Sequence, residues 1–173
     1  MFSAMLNLLK RKEHPKGYPK YSAKEFEKFF ALDKEQSKKL ESDYLLLLQF
    51  DNKSDFSELA FGAGRDLFKL STSLASRYGV PKTRAGAVAH FFANITTTRN
   101  DQISKQKLGI STCIWKTSVC GMRKNDPNIS HVSLSGQAYN VNTGLLVDGN
   151  YLLPGVALGC TCNGRSVIPG FDD

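Results

Sequence analysis

Cysteines at 113, 120, 160 and 162 and a histidine at 131 fall in one C-terminal stretch of this 173-residue chain. Cys120, His131, Cys160 and Cys162 together offer three thiolates and an imidazole, a donor set that suits a tetrahedral zinc ion. Their spacing is unlike that of a zinc knuckle. One residue separates Cys160 from Cys162, where structural sites favour about two to four, and no second close pair accompanies them. Nucleophilic attack by a thiol activated by His131 is the other chemistry this set allows, but no carboxylate stands at the spacing of a third, orienting group. The carboxylates of this stretch are Asp126, Asp148, Asp172 and Asp173, and the last glutamate of the chain is Glu58. Mechanisms that depend on a local glutamate, such as ADP-ribosyl transfer and zinc-water deamination, are therefore disfavoured. Gly62-Ala63-Gly64 lacks the lysine and the spacing of a phosphate-binding loop, and reads as a mid-helix site of close helix packing. The residues point to no enzyme and require no cofactor; the alternative is a small toxin-like enzyme or a zinc-containing nucleic-acid-binding module that uses His131, Arg123 and the cysteines.

The elements that must position these side chains are of two kinds. Ser22 followed by Glu25 is a capping box, since a serine hydroxyl and a glutamate three residues on can satisfy each other's free amides. It predicts a helix from Ala23 with Phe26, Phe29 and Phe30 on one face. Asp33 with Gln36 offers a second start, so the run to Phe50 is two helices or one bent one. Asp51 to Ser54 reads as a turn ending in a cap. Phe56, Leu59, Ala63, Leu67, Leu70, Leu74 and Tyr78 then keep a single helical period up to Gly79-Val80-Pro81, where glycine and proline stop it. A long helix follows from about Lys82 to Leu108, with Ala85, Val88, Ala89, Phe92 and Ile95 inward, His90 at the surface or core edge, and Gly109 as its stop. Beyond Gly109 the runs are short. Ile110 to Trp115 alternates loosely, Gln137 to Val141 can form a strand, and Leu145-Leu146-Val147 faces Tyr151-Leu152-Leu153 across Asp148-Gly149-Asn150, a hairpin turn because Asp-Gly tolerates positive φ. The fold class expected is α+β: a helical region followed by a small α+β C-terminal domain with a β-hairpin.

Charge is divided along the same line. Residues 1 to 112 carry 19 Lys and Arg against 12 Asp and Glu, whereas residues 113 to 173 carry 4 against 4. The densest basic stretch is Lys10, Arg11, Lys12, Lys16, Lys20 and Lys24, continued by Lys28. It reads as a solvated arm over residues 1–21 that could meet phosphates or an acidic protein surface. The longest aliphatic run, Leu45 to Leu48, is far shorter than the roughly 20 residues of a membrane-spanning helix. Met1 to Leu9 is apolar and precedes Lys10-Arg11-Lys12, the reverse of a secretory signal. Residence in the cytoplasm, with reduced cysteines rather than disulfides, is the expectation.

Taken in order, Ile114-Trp115-Lys116-Thr117-Ser118, Arg123, His131, Leu134-Ser135-Gly136-Gln137-Ala138-Tyr139, Pro154-Gly155 and Cys160-Thr161-Cys162 resemble the C-terminal domain of phage head morphogenesis proteins, the minor head proteins of the Mu protein F-like family. The helix before them fits as well, since residues 93–100 resemble the family's Arg-Thr-Glu-rich leading helix. The resemblance spans about residues 82–168 and implies an 82–173 domain led by a long helix, behind a helical region at 22–81. The family's Asp before Arg123 is missing, His131 follows Arg123 at a longer interval, and Thr161 replaces an arginine. The resemblance implies a structural protein of the virion head, in the host cytoplasm during assembly, associated in few copies with portal and capsid proteins and in some members with packaged DNA. It implies that Trp115, Thr117, Arg123, His131, Gly136, Pro154, Gly155, Cys160 and Cys162 hold a small domain together.

Overall fold

The computed structural model describes residues 14–51, 54–117, 127–168 and 170, with 127–130 described by their backbone. Among the described residues five helices precede a small antiparallel β region, an α+β architecture in the order expected. The helices are α1 (Ala23–Phe30), α2 (Lys34–Leu47), α3 (Asp55–Gly62), α4 (Leu67–Tyr78) and α5 (Lys82–Lys107). Strands β1 (Thr112–Lys116), β2 (Ala138–Asn140) and β5 (Asn163–Ser166) form one sheet in the order β2-β1-β5, and β3 (Leu145–Val147) pairs with β4 (Asn150–Leu152).

Local chemistry sets most of these boundaries. Glu25 Oε2 accepts from the Ser22 amide at 2.7 Å and from its hydroxyl at 2.8 Å. Ala31 closes α1 at φ 51°, so the run to Phe50 is two helices. Asp33 restarts the chain by accepting from the Glu35 and Gln36 amides at 2.9 and 2.8 Å, while Gln36 returns the favour to the Asp33 amide at 3.0 Å. Such caps each contribute about 1 kcal/mol by satisfying amides that have no partner within the helix. Ser54 caps α3 through the Ser57 amide at 3.1 Å.

The single helix expected through Phe56 and Tyr78 is instead two. Gly64 turns at φ 56°, and Asp66 caps α4 by accepting from the Lys69 amide at 2.9 Å. The apolar period runs on across the break, which is why spacing alone reads it as continuous. Gly62-Ala63-Gly64 thus lies at a helix end, and a Cβ on either glycine would meet nothing within 4 Å. These glycines serve the break, not close helix packing.

One core runs through both regions. At its helical end Phe26, Tyr44 and Phe91 meet edge to face or tilted, with ring centroids 5.5 to 5.8 Å apart, a geometry that adds to their burial. Asp43, buried on α2, receives Arg77 in a two-pronged pair at 2.6 Å and the Tyr78 hydroxyl at 2.6 Å, tying α2 to α4. The N-terminal half of α5 packs Ala85, Val88, Ala89 and Phe92 into this core. His90 is exposed. Among the described residues no helix is long and apolar enough to cross a membrane.

Residues 14–21 lie against the C-terminal region. Tyr18 is buried, and its hydroxyl donates to Gln102 Oε1 at 2.8 Å, while Gln102 Nε2 donates to the Val141 carbonyl at 2.7 Å. The Leu153 amide donates to the Gly17 carbonyl at 2.9 Å and the Leu158 amide to the Tyr21 hydroxyl at 2.9 Å.

Candidate functional site

From its middle onward α5 carries hydrogen-bonding side chains one turn apart, so they share a face. Asn94 Nδ2 donates to the Cys160 carbonyl at 3.0 Å, Thr98 Oγ1 to the Pro154 carbonyl at 3.3 Å, and Gln102 to Val141. Three amides and hydroxyls at i, i+4 and i+8 thereby clamp the loops of the C-terminal region to the helix. None of the three is singled out by sequence reasoning, although their spacing on one helix face is a usable signal.

On the other side of those loops stands β1. Cys113 and Trp115 alternate inward from it and are both fully buried. The Trp115 amide donates to the Gln137 carbonyl at 2.8 Å, and the Gly136 amide donates back to the Trp115 carbonyl at 2.9 Å. Gly136 turns at φ 87°, which glycine adopts without a steric cost. Thr117 Oγ1 donates to the His131 carbonyl at 2.7 Å, fixing the 3-10 turn Pro127–Leu134 against the end of β1. The Trp115 indole meets the His131 ring edge to face at 5.6 Å and the Tyr139 ring at 6.1 Å.

His131 is thereby held against the closing loop. Its Nδ1 lies 3.4 Å from Cys160 Sγ and 3.8 Å from Cys162 Sγ, and all three residues are buried. Their three donor atoms lie within 4.8 Å of one another. Three of the four residues considered for zinc are therefore brought together, despite the short Cys160–Cys162 interval that the sequence sets against a metal. The fold, not the spacing, assembles them: His131 arrives from the turn after β1, and the two cysteines from the loop before β5. Cys120 and Arg123 lie outside the described residues, as do Lys10, Arg11 and Lys12.

The hydrogen bond between the two thiols pushes Cys160 well above the usual thiol range, and burial and the charge of its neighbour act in the same direction. A reactive cysteine needs the opposite, a depressed value and access to solvent. Among the described residues no carboxylate joins the cluster, so the sulfur and imidazole lack the third group of a catalytic triad. A groove of about 570 Å³, polar and apolar in equal measure, runs beside the cluster, bounded by Asn94, Thr98, Asp101, Lys105, Val141 and Leu153. Much of its lining is already engaged: Lys105 binds Asp101 at 2.5 Å, and Asn94 and Thr98 hold the loops.

Pro154-Gly155 sits between the clamp and the cluster. Gly155 has φ 84°, and a Cβ there would meet the Cys162 carbonyl at 3.2 Å and Thr98 Oγ1 at 3.5 Å. Lys16, Lys20 and Lys24 are exposed, with the Lys16 ammonium 5.8 Å from the centre of the Tyr151 ring.

Comparison with family models, with curated proteins and with solved structures found no match for this chain.

Proposed function

We propose that the chain is a minor structural protein of a bacteriophage head, taken into the procapsid in few copies with the portal. One observation carries this reading: residues of the head-morphogenesis pattern meet as a bonded framework and not as the lining of an open cleft. Trp115 bonds Gly136 and Gln137, Thr117 bonds the His131 backbone, His131 meets Cys160 and Cys162, and Pro154-Gly155 packs beneath Thr98. A framework of this kind suits a rigid knob that is held in an assembly.

The exposed Lys16, Lys20 and Lys24 support a partner of negative charge, whether an acidic face of the portal or capsid protein or packaged DNA. Mass spectrometry of purified procapsids and virions of the phage that encodes this chain tests the reading. The expected result is the chain present alongside the portal protein at low copy number. Its absence from both particles would sink the proposal. Duplex DNA binding measured across a salt series separates the two kinds of partner: a steep fall in affinity, made shallower by replacing Lys16, Lys20 and Lys24 with glutamine, assigns these lysines to phosphate. Binding to portal protein without such DNA binding assigns them to the acidic protein surface.

A further inference from the structure

We propose that Cys160, Cys162 and His131 bind a zinc ion that locks the closing loop of the chain to the turn after β1. The argument begins with distance. Zinc takes sulfur at about 2.3 Å and imidazole nitrogen at about 2.0 Å, so across a tetrahedral angle the two atoms stand about 3.6 Å apart. The two separations of His131 Nδ1 from sulfur, 3.4 and 3.8 Å, bracket that value. The three donor atoms also lie within 4.8 Å of one another, so one cation can stand among them.

The surroundings suit a structural zinc. All three donors are buried, the Trp115 ring closes one side of the imidazole, and the backbone amides of Gly155 and Cys162 hydrogen-bond the Cys160 sulfur. Amides directed at a ligand atom are the supporting contacts that orient metal ligands and tune them. The loop is also anchored from outside, since Asn94 holds the Cys160 carbonyl. Two thiols and an imidazole make a soft to borderline set, which selects zinc over magnesium or calcium. Binding forms two Zn–S bonds and one Zn–N bond and releases the two thiol protons to solvent, with no change of oxidation state. The fourth position takes a further donor. Because Cys160 and Cys162 lie about thirty residues beyond His131, the ion closes a loop that otherwise depends on short strands and turns.

The test uses the full-length reduced chain, freed of metal by chelation and titrated with cobalt(II). The expected result is one equivalent bound, with a thiolate-to-cobalt charge-transfer band, intense tetrahedral bands in the visible, and displacement of both by zinc. Cys162→Ser and His131→Gln are expected to weaken cobalt binding by more than about a hundredfold, beyond the roughly 10–100-fold loss that outer contacts alone produce. Cys113→Ser, which alters a buried thiol on β1 apart from the cluster, is expected to leave the titration unchanged. Absence of the charge-transfer band in the reduced wild-type chain overturns the proposal without recourse to any variant. Equal binding by wild type and both ligand variants overturns it too. The site stands or falls independently of whether the chain enters a virion.

Discussion

At Gly155 two constraints coincide: a φ of 84°, and an approach of 3.2 Å between a would-be Cβ and the Cys162 carbonyl. Gly155→Ala is expected to destabilise the chain by about 1–3 kcal/mol, since the left-handed region already costs a non-glycine residue about 1–2 kcal/mol and the carbonyl must also move. Gly149→Ala is the control. Its φ is 79° but nothing lies within 4 Å of its Cβ position, so it carries the conformational cost alone. Urea unfolding of both variants decides the matter; equal losses would mean that the Cys162 loop yields freely. Of the residues singled out by pattern, Trp115, Thr117, His131, Gly136, Pro154, Gly155, Cys160 and Cys162 fall into one neighbourhood. Their chemistry was legible because thiols, an imidazole and an indole are rare and specialised groups. Their mutual distances were not, because a chain interval says nothing about two loops that meet through a sheet.

For the elements, the cap residues mattered more than the apolar period. Asp66 restarts α4 after Gly64, so Asp66→Ala is expected to cost about 1 kcal/mol, read as a lower midpoint of thermal unfolding. An unchanged midpoint would mean that α4 is held by its packing on α5 alone. The helix starts at Ser22 and Asp33 and the Asp148-Gly149 hairpin were legible for one reason. Each is settled by a side chain bonding the backbone within a few residues, or by one residue that accepts positive φ. In the hairpin Val147 pairs with Asn150, leaving Asp148 and Gly149 at φ 48° and 79°, as a two-residue turn requires. Strand β5 is the opposite case. Asn163-Gly164-Arg165-Ser166 has no apolar alternation and becomes a strand only because β1 offers it an edge to pair with. Gly164 has no side chain where the Tyr139 hydroxyl and ring cross, and a Cβ there would collide with them.

Across the whole molecule, tyrosines join the helical and C-terminal regions. Tyr18 and Tyr21 reach from the N-terminal segment to Gln102 and Leu158, and Tyr44, Tyr78 and Tyr139 are buried in the same core. Burial raises all five phenols above their usual value of 10, Tyr21 to about 12. The unfolded chain loses these protons at lower pH than the folded one, so stability is full below pH 10 and falls as pH climbs toward 12 and beyond. For half-buried Tyr21 the loss is at most about 3 kcal/mol, reduced by solvent screening. Urea unfolding at a series of alkaline pH values should show this fall, with tyrosinate absorbance of the buried rings rising together with unfolding. Ordinary titration of those rings near pH 10 in the still-folded chain would refute it.

The sequence by itself determined the α+β class, the other helix starts and stops, the hairpin, and the rare side chains that could do chemistry, because local hydrogen bonds, φ preferences and apolar periodicity act over a few residues. Only the tertiary structure decided the break between α3 and α4, the recruitment of β5, the clamp of Asn94, Thr98 and Gln102, and the meeting of His131 with Cys160 and Cys162. The break is set locally by Gly64 and the Asp66 cap, beneath an apolar period that runs on across it; the others depend on partners distant in the chain, and burial in a shared core holds them at bonding distance.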